Sequence, residues 1–164
     1  MTSAKIRILA LSAVLLGLTA CATGPSPAPL AETLSRDPAV STFSKLVDQA
    51  GLKEELSAAG PLTVFVPSDE AFKQVPAATL EKLSADKEQL KSVLRFHVIG
   101  ARILAADVNN GNQKTAQGAN LAVSRAGDFV TVGEDAVVTK KDIMATNGVA
   151  HVIDRVLMPP APKK

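Results

Sequence analysis

Apolar positions along this chain change their period near residue 97. Upstream they recur at helical spacing, and downstream at every second residue. Asp37-Pro38 opens a helix, with Asp as cap and Pro in the first turn. Phe43, Leu46 and Val47 then fall on one face, and Gly51 closes that helix. Leu52 to Ala58 reads as a second short helix. The run Leu62-Thr63-Val64-Phe65-Val66 is β-branched and aromatic, which predicts a strand. Ser68 offers an N-cap, with Glu70 in the first turn where the helix dipole favours it. Pro76 starts a helix to about Leu83, and a longer one spans about Asp86 to Phe96 with Leu90, Val93 and Leu94 inward. Candidate strands follow at His97–Ile99, Leu121–Ser124, Phe129–Val132, Ala136–Thr139 and Val149–Ile153, separated by Gly, Asn and Asp turns. Helices first and antiparallel strands later predict an α+β fold, not alternating βαβ units.

The ends of the chain follow different rules. Lys5-Ile6-Arg7, the apolar run from Ile8 to Leu18 and the small residues before Cys21 have the order of a secretory signal. The apolar run of about 11 residues is too short to span a membrane, which takes about 20. Leu18-Thr19-Ala20-Cys21 resembles the lipobox of bacterial lipoproteins. That resemblance implies removal of residues 1–20 and attachment of lipid to Cys21, the chain's single cysteine. Simple secretion with cleavage after Ala20 is the alternative. A lone cysteine cannot form an internal disulfide, and more than one acyl chain gives a stable membrane hold. Residues 21–31, rich in proline, read as a linker of about 30 Å if extended. A domain over 32–160 and a tail over 161–164 complete the expected organisation. Ala22 after the cysteine resembles the pattern of outer-membrane sorting in diderm bacteria; otherwise the outer face of the cytoplasmic membrane is expected.

Charge changes meaning once the signal is removed. Loss of Lys5 and Arg7 from 18 basic residues leaves 16, equal to the 16 acidic ones. A neutral chain lacks the basic face that nucleic acid requires. With five Phe and no Trp or Tyr, stacking platforms for bases or sugars are scarce.

Three blocks carry a family resemblance. They are Thr63-Val64-Phe65-Val66-Pro67-Ser68-Asp69-Glu70-Ala71-Phe72, then Leu94-Arg95-Phe96-His97-Val98-Ile99, then the stretch from Asp142 through Asn147-Gly148-Val149-Ala150-His151 to Pro159. In this order they resemble the fasciclin (FAS1, βig-h3) domain over about residues 38–160. The resemblance implies a wedge-shaped β-sandwich of about seven mostly antiparallel strands with several short helices packed against it. It also implies an adhesion or binding module at the cell surface, not an enzyme. The family's Tyr-His motif is Phe96-His97 here, so the phenol oxygen is absent.

Residue by residue, the chemistry is sparse. Pro67, Ser68 and Phe72 read as structural, and Asn147-Gly148 as a tight turn, since both residues tolerate positive φ. His97 and His151 lack a third ligand and His-x-x-x-His spacing, so no metal site is expected; each reads as a hydrogen-bonded structural group, with a hydroxyl such as Ser68 as a candidate partner. Asp107 to Asn112 has its glycine misplaced for a calcium loop and no bidentate glutamate at the twelfth position, and reads as a surface turn. There is no Gly-x-Ser-x-Gly and no phosphate-binding glycine loop, and no cofactor is expected. Phe96, His97, Val98 and Ile99 are the candidate interaction surface for a protein or envelope polymer, with core as the competing reading. Asp69, Asp142 and Asp154 are the candidates for an acidic cleft, should the chain be a periplasmic small-ligand carrier or enzyme.

Overall fold

The computed structural model describes residues 28–160. The signal segment, Cys21 and the tail at 161–164 lie outside them. The described elements are α1 (Leu30–Ser35), α2 (Ser41–Ala50), α3 (Lys53–Ser57), β1 (Leu62–Pro67), α4 (Asp69–Lys73), α5 (Ala77–Ala85), α6 (Lys87–Phe96), β2 (Val98–Ile99), β3 (Gly111–Lys114), β4 (Asn120–Ala126), β5 (Phe129–Val132), β6 (Ala136–Ala145) and β7 (Gly148–Ile153).

Local chemistry sets the helix ends. Asp37 accepts from the Ala39 amide at 3.0 Å, and Pro38 sits in the first turn of a short 3₁₀ segment leading into α2. Gly51 ends α2 in the left-handed region at φ 72°, where a side chain is disfavoured. Ser68 caps α4 through the Ala71 amide, and Asp86 caps α6 through the Glu88 and Gln89 amides.

The strands form one seven-stranded sheet in the order β2-β1-β7-β6-β5-β4-β3. Only β1 and β7 run parallel. Ile99 bridges Thr115, and the Ala116 amide donates to the Val98 carbonyl at 2.7 Å. The two ends of the sheet order therefore meet, and the sheet curls into a nearly closed sandwich. Successive side chains on β1 and β7 point to opposite faces. Phe65 and Ile153 enter the interior of the curled sheet with Phe96, Leu121, Val130 and Val132. Val64, Val66 and Val152 face the helices, where Leu30, Leu34, Phe43 and Leu94 cover them. Burial on both faces explains the continuous apolar runs of these two strands.

Three expectations need correction. The linker expected over 21–31 ends earlier: Ala28, Leu30 and Ala31 are buried. Leu30 and Leu34, one turn apart on α1, pack into the helical core. The expected turn at Asp107 to Asn112 contains the end of a 3₁₀ segment and the first residues of β3, an edge strand whose polar Gly-Asn-Gln-Lys sequence carries no apolar period. The expected strand Ala136–Thr139 is the first part of a ten-residue β6, whose register shifts between Val138 and Lys140 and again between Lys140 and Ile143. Asp142 takes φ 55° in that bulge.

Candidate functional site

Phe96, His97, Val98 and Ile99 are 5, 1, 6 and 3% exposed, so this segment is core and offers no contact surface. The cause is the direct join of α6 to β2. Val98 and Ile99 pair with Val64 and Thr63 of β1, which sends Phe96 and Ile99 into the sandwich and Val98 into the helical core.

His97 is a clamp within this segment. The carbonyl of Val93 lies 2.8 Å from its Nδ1, and the Leu157 amide donates to its Nε2 at 3.1 Å. A carbonyl needs a donor and an amide an acceptor, so the ring is neutral with its proton on Nδ1. Phe43 lies against it at 6.1 Å between ring centroids. Burial pushes its pKa down to about 4, opposed by the bond to Val93. His151 uses the other tautomer. Its Nδ1 accepts from the Asp142 amide at 3.2 Å, and its Nε2 donates to the Ile103 carbonyl at 2.9 Å. It stacks on Phe65 at 5.6 Å. Burial lowers its pKa too, against the opposing effects of the Ile103 bond and the Asp142 charge. Both histidines bond backbone groups through each ring nitrogen, and Ser68 partners neither: its hydroxyl is the cap of α4.

Asn147-Gly148 joins β6 to β7 for a different reason from the one expected. Neither residue has positive φ. Asn147 instead ties three elements together. Its Oδ1 accepts from the Leu30 amide at 2.8 Å, and its Nδ2 donates to the Leu56 and Ala58 carbonyls, both at 2.8 Å. Its own carbonyl accepts from the Leu62 amide at 3.1 Å. Gly148 is needed for close approach: a Cβ there would overlap the Leu62 carbonyl and crowd Leu30 Cδ1 at 2.8 Å.

The three candidate acids do not converge. Asp69 accepts from the Thr42 amide and the Ser41 hydroxyl, both at 2.8 Å, and so caps α2. Burial raises its pKa, but these hydrogen bonds outweigh that and hold the carboxyl below its usual range. Asp142 accepts from the Ala105 amide at 2.9 Å, and Asp154 from the Val137 amide at 2.7 Å. Pro67 ends β1 and Phe72 enters the helical core. Among the described residues no three His, Cys, Asp or Glu side chains come together as metal ligands.

Two clefts were not legible in the sequence. One, of about 610 Å³, has a mixed lining that includes Asn112, Asn120, Glu134, Asp135, Arg155 and Met158. The other, of about 210 Å³, lies beneath α5 and is walled by Phe43, Leu46, Phe72, Leu80, Leu83 and Val93. The i, i+3 spacing of Leu80 and Leu83 was its one available signal.

Comparison with known proteins places this arrangement. The family model described as Fasciclin domain matches residues 38–159. Transforming growth factor-beta-induced protein ig-h3 of Sus scrofa is 35% identical over 123 residues, which are 74% of this chain and 18% of that protein. Cell surface glycolipoprotein MPB83 of Mycobacterium bovis is 35% identical over 143 residues, 84% of this chain and 64% of that protein. The chain thus spans less than two thirds of either relative. The FAS1 domain pair of the insect cell adhesion molecule Fasciclin I matches with a TM-score of 0.67 at 19% identity, covering 80% of this chain and 51% of that one. That likeness speaks for the fold, and the family model covers the same strands, caps and histidine clamps: the chain belongs to the fasciclin family.

Proposed function

We propose that this protein is a non-catalytic fasciclin module, held at the cell envelope by lipid on Cys21, that binds a protein or an envelope polymer. The observation that carries the non-catalytic part is the state of the polar signature residues. His97 and His151 have both ring nitrogens bonded to the backbone, and Asp69, Asp142 and Asp154 each accept from a backbone amide. General acid–base catalysis needs a group free to exchange a proton with substrate; neither histidine has a free ring nitrogen, and the three acids are held apart by their backbone bonds. The anchor rests on the lipobox-like sequence ending at Cys21, which lies outside the described residues, and on the description of MPB83 as a cell-surface glycolipoprotein.

Cells expressing the full chain with labelled palmitate test the anchor. Label on the mature protein that disappears in Cys21→Ser supports it, and an unlabelled mature protein refutes it. Photocrosslinking in intact cells tests the binding role. A discrete crosslinked species lost on competition with unlabelled protein supports a partner; no crosslink from probes spread over the exposed surface leaves a spacer role.

A further inference from the structure

Among the described residues, α5 is the one α-helix that buries no side chain. Leu80 and Leu83, half-buried on its inner face, nevertheless roof the cavity of about 210 Å³ above Phe43, Leu46, Phe72 and Val93. The roof is tied down by a hydrogen bond from Gln49 Nε2 to the Ser84 carbonyl, 3.0 Å long.

Two of the polar side chains around the cavity are committed elsewhere. The Ser84 hydroxyl donates within α5, to the Leu80 and Glu81 carbonyls at 2.8 and 3.0 Å. Both nitrogens of His97 are bonded to the backbone. A buried water needs two to four polar partners, and the lining is mostly apolar, with Thr42, Glu81, Ser84 and His97 its polar members. Apolar cavities of about 150 Å³ stay dry and take up benzene, so this one has room for slightly more. It falls short of the roughly 300–1,000 Å³ of sites for drug-sized ligands. A polar group brought inside would lose its hydrogen bonds to water without replacement. Glu81, exposed on the cavity's lining, is the one acidic residue there and disfavours an anionic head group.

We propose that the cavity beneath α5 binds a short, uncharged aliphatic chain, supplied either as a small free amphiphile or as the end of a membrane lipid's acyl chain. Lifting α5 opens the way in, because the helix has no buried side chain to extract. The proposal is independent of lipid on Cys21 and is tested with the chain carrying Cys21→Ser.

Methyl NMR during titration with 1-octanol forms the first arm. The proposal expects saturable shifts at Leu80, Leu83 and Val93, with octanoate binding weaker by on the order of tenfold and Glu81→Gln removing that difference. The second arm uses phosphatidylcholine vesicles containing lipid spin-labelled near the chain end. Broadening of the same methyls assigns the ligand to the membrane; saturable octanol binding without broadening assigns it to a free amphiphile. Leu83→Trp and Leu46→Trp each put added bulk into the cavity from its lining. In whichever variant keeps the parental melting curve, octanol binding should fall by about tenfold or more. The idea is overturned by non-saturating shifts, by shifts centred elsewhere, by silence in both arms, or by binding that persists in a folded, filled variant.

Discussion

His97 makes acid sensitivity of this fold a quantitative expectation. In the native state its ring is neutral, donating to the Val93 carbonyl and accepting from the Leu157 amide. Protonation would replace the acceptor at Nε2 with a second donor facing an N–H group. The folded pKa is pushed from 6.5 to about 4. Between those values the unfolded chain binds a proton that the folded chain refuses, so stability rises with pH across the window. It is fully present above about pH 6.5 and is lost as pH falls towards 4. The drop corresponds to about 3 kcal/mol, a large share of the 5–15 kcal/mol typical of a domain. The carboxylates Asp37 and Asp69, whose pKa values are lowered, act below about pH 4 and fall outside this window. His151 shares the window, so the comparison is with His97→Gln, whose amide supplies one donor and one acceptor without titrating. Urea unfolding between pH 4.5 and 7.5 should show the parent losing stability on acidification and the variant losing less, by about 2–3 kcal/mol. The variant's stability at pH 7 should fall as well, because two buried backbone groups lose ideal partners. Equal pH slopes in parent and variant would refute the account.

Further expectations concern the β6–β7 junction and the surface. Asn147→Ala removes three side-chain hydrogen bonds to the backbone and should cost about 2–4 kcal/mol in urea unfolding; a loss below about 1 kcal/mol would show that water replaces them. Gly148→Ala puts a methyl group against the Leu62 carbonyl and should destabilise by about 3 kcal/mol or more, where a reading based on turn conformation alone predicts little change, since φ there is not positive. Arg95→Ala breaks an ion pair with Glu55 that is 44 and 42% exposed and should shift stability by less than about 1 kcal/mol, with little salt dependence remaining; a loss above about 2 kcal/mol would mean that the pair is coupled to the core.

The elements readable in the sequence are those whose signals are local. The Asp37 cap, the Gly51 stop, the Ser68 cap and the apolar face of α6 each involve residues within one or two helical turns, and each forms as expected. What stayed hidden depends on distant partners. The segment just before Leu30 is dominated by prolines and small residues, and the Leu30–Leu34 pair was its one local mark of burial against Gly148 and the helical core. The strand β3 carries no apolar period because its residues are mostly exposed. Asn147-Gly148 carried a turn signal that was right about position and wrong about cause. The bond that explains Asn147 reaches Leu30, 117 residues away, and no local rule contains it. Phe96 to Ile99 could be read as surface or core because the segment combines a helix end with a strand start, and only the pairing with β1 decides the matter.

The family signature therefore works as a set of hydrogen-bond solutions. Ser68 and Asp69 cap two helices, Asn147 joins α1, α3 and β1, and the two histidines bind backbone groups through opposite tautomers. Each polar side chain in it stabilises the fold by satisfying backbone groups that burial would otherwise leave unpaired, which is costly. A side chain so committed cannot also recognise a partner without giving up that contribution. Under the proposed binding role, recognition falls to positions where few such commitments exist. Phe129 is 69% exposed at the start of β5, and α5 buries no side chain of its own. Substitutions at these places should alter binding while sparing stability, and substitutions in the signature should do the reverse. That separation explains why the signature blocks identify the fold so clearly and yet say nothing of a ligand.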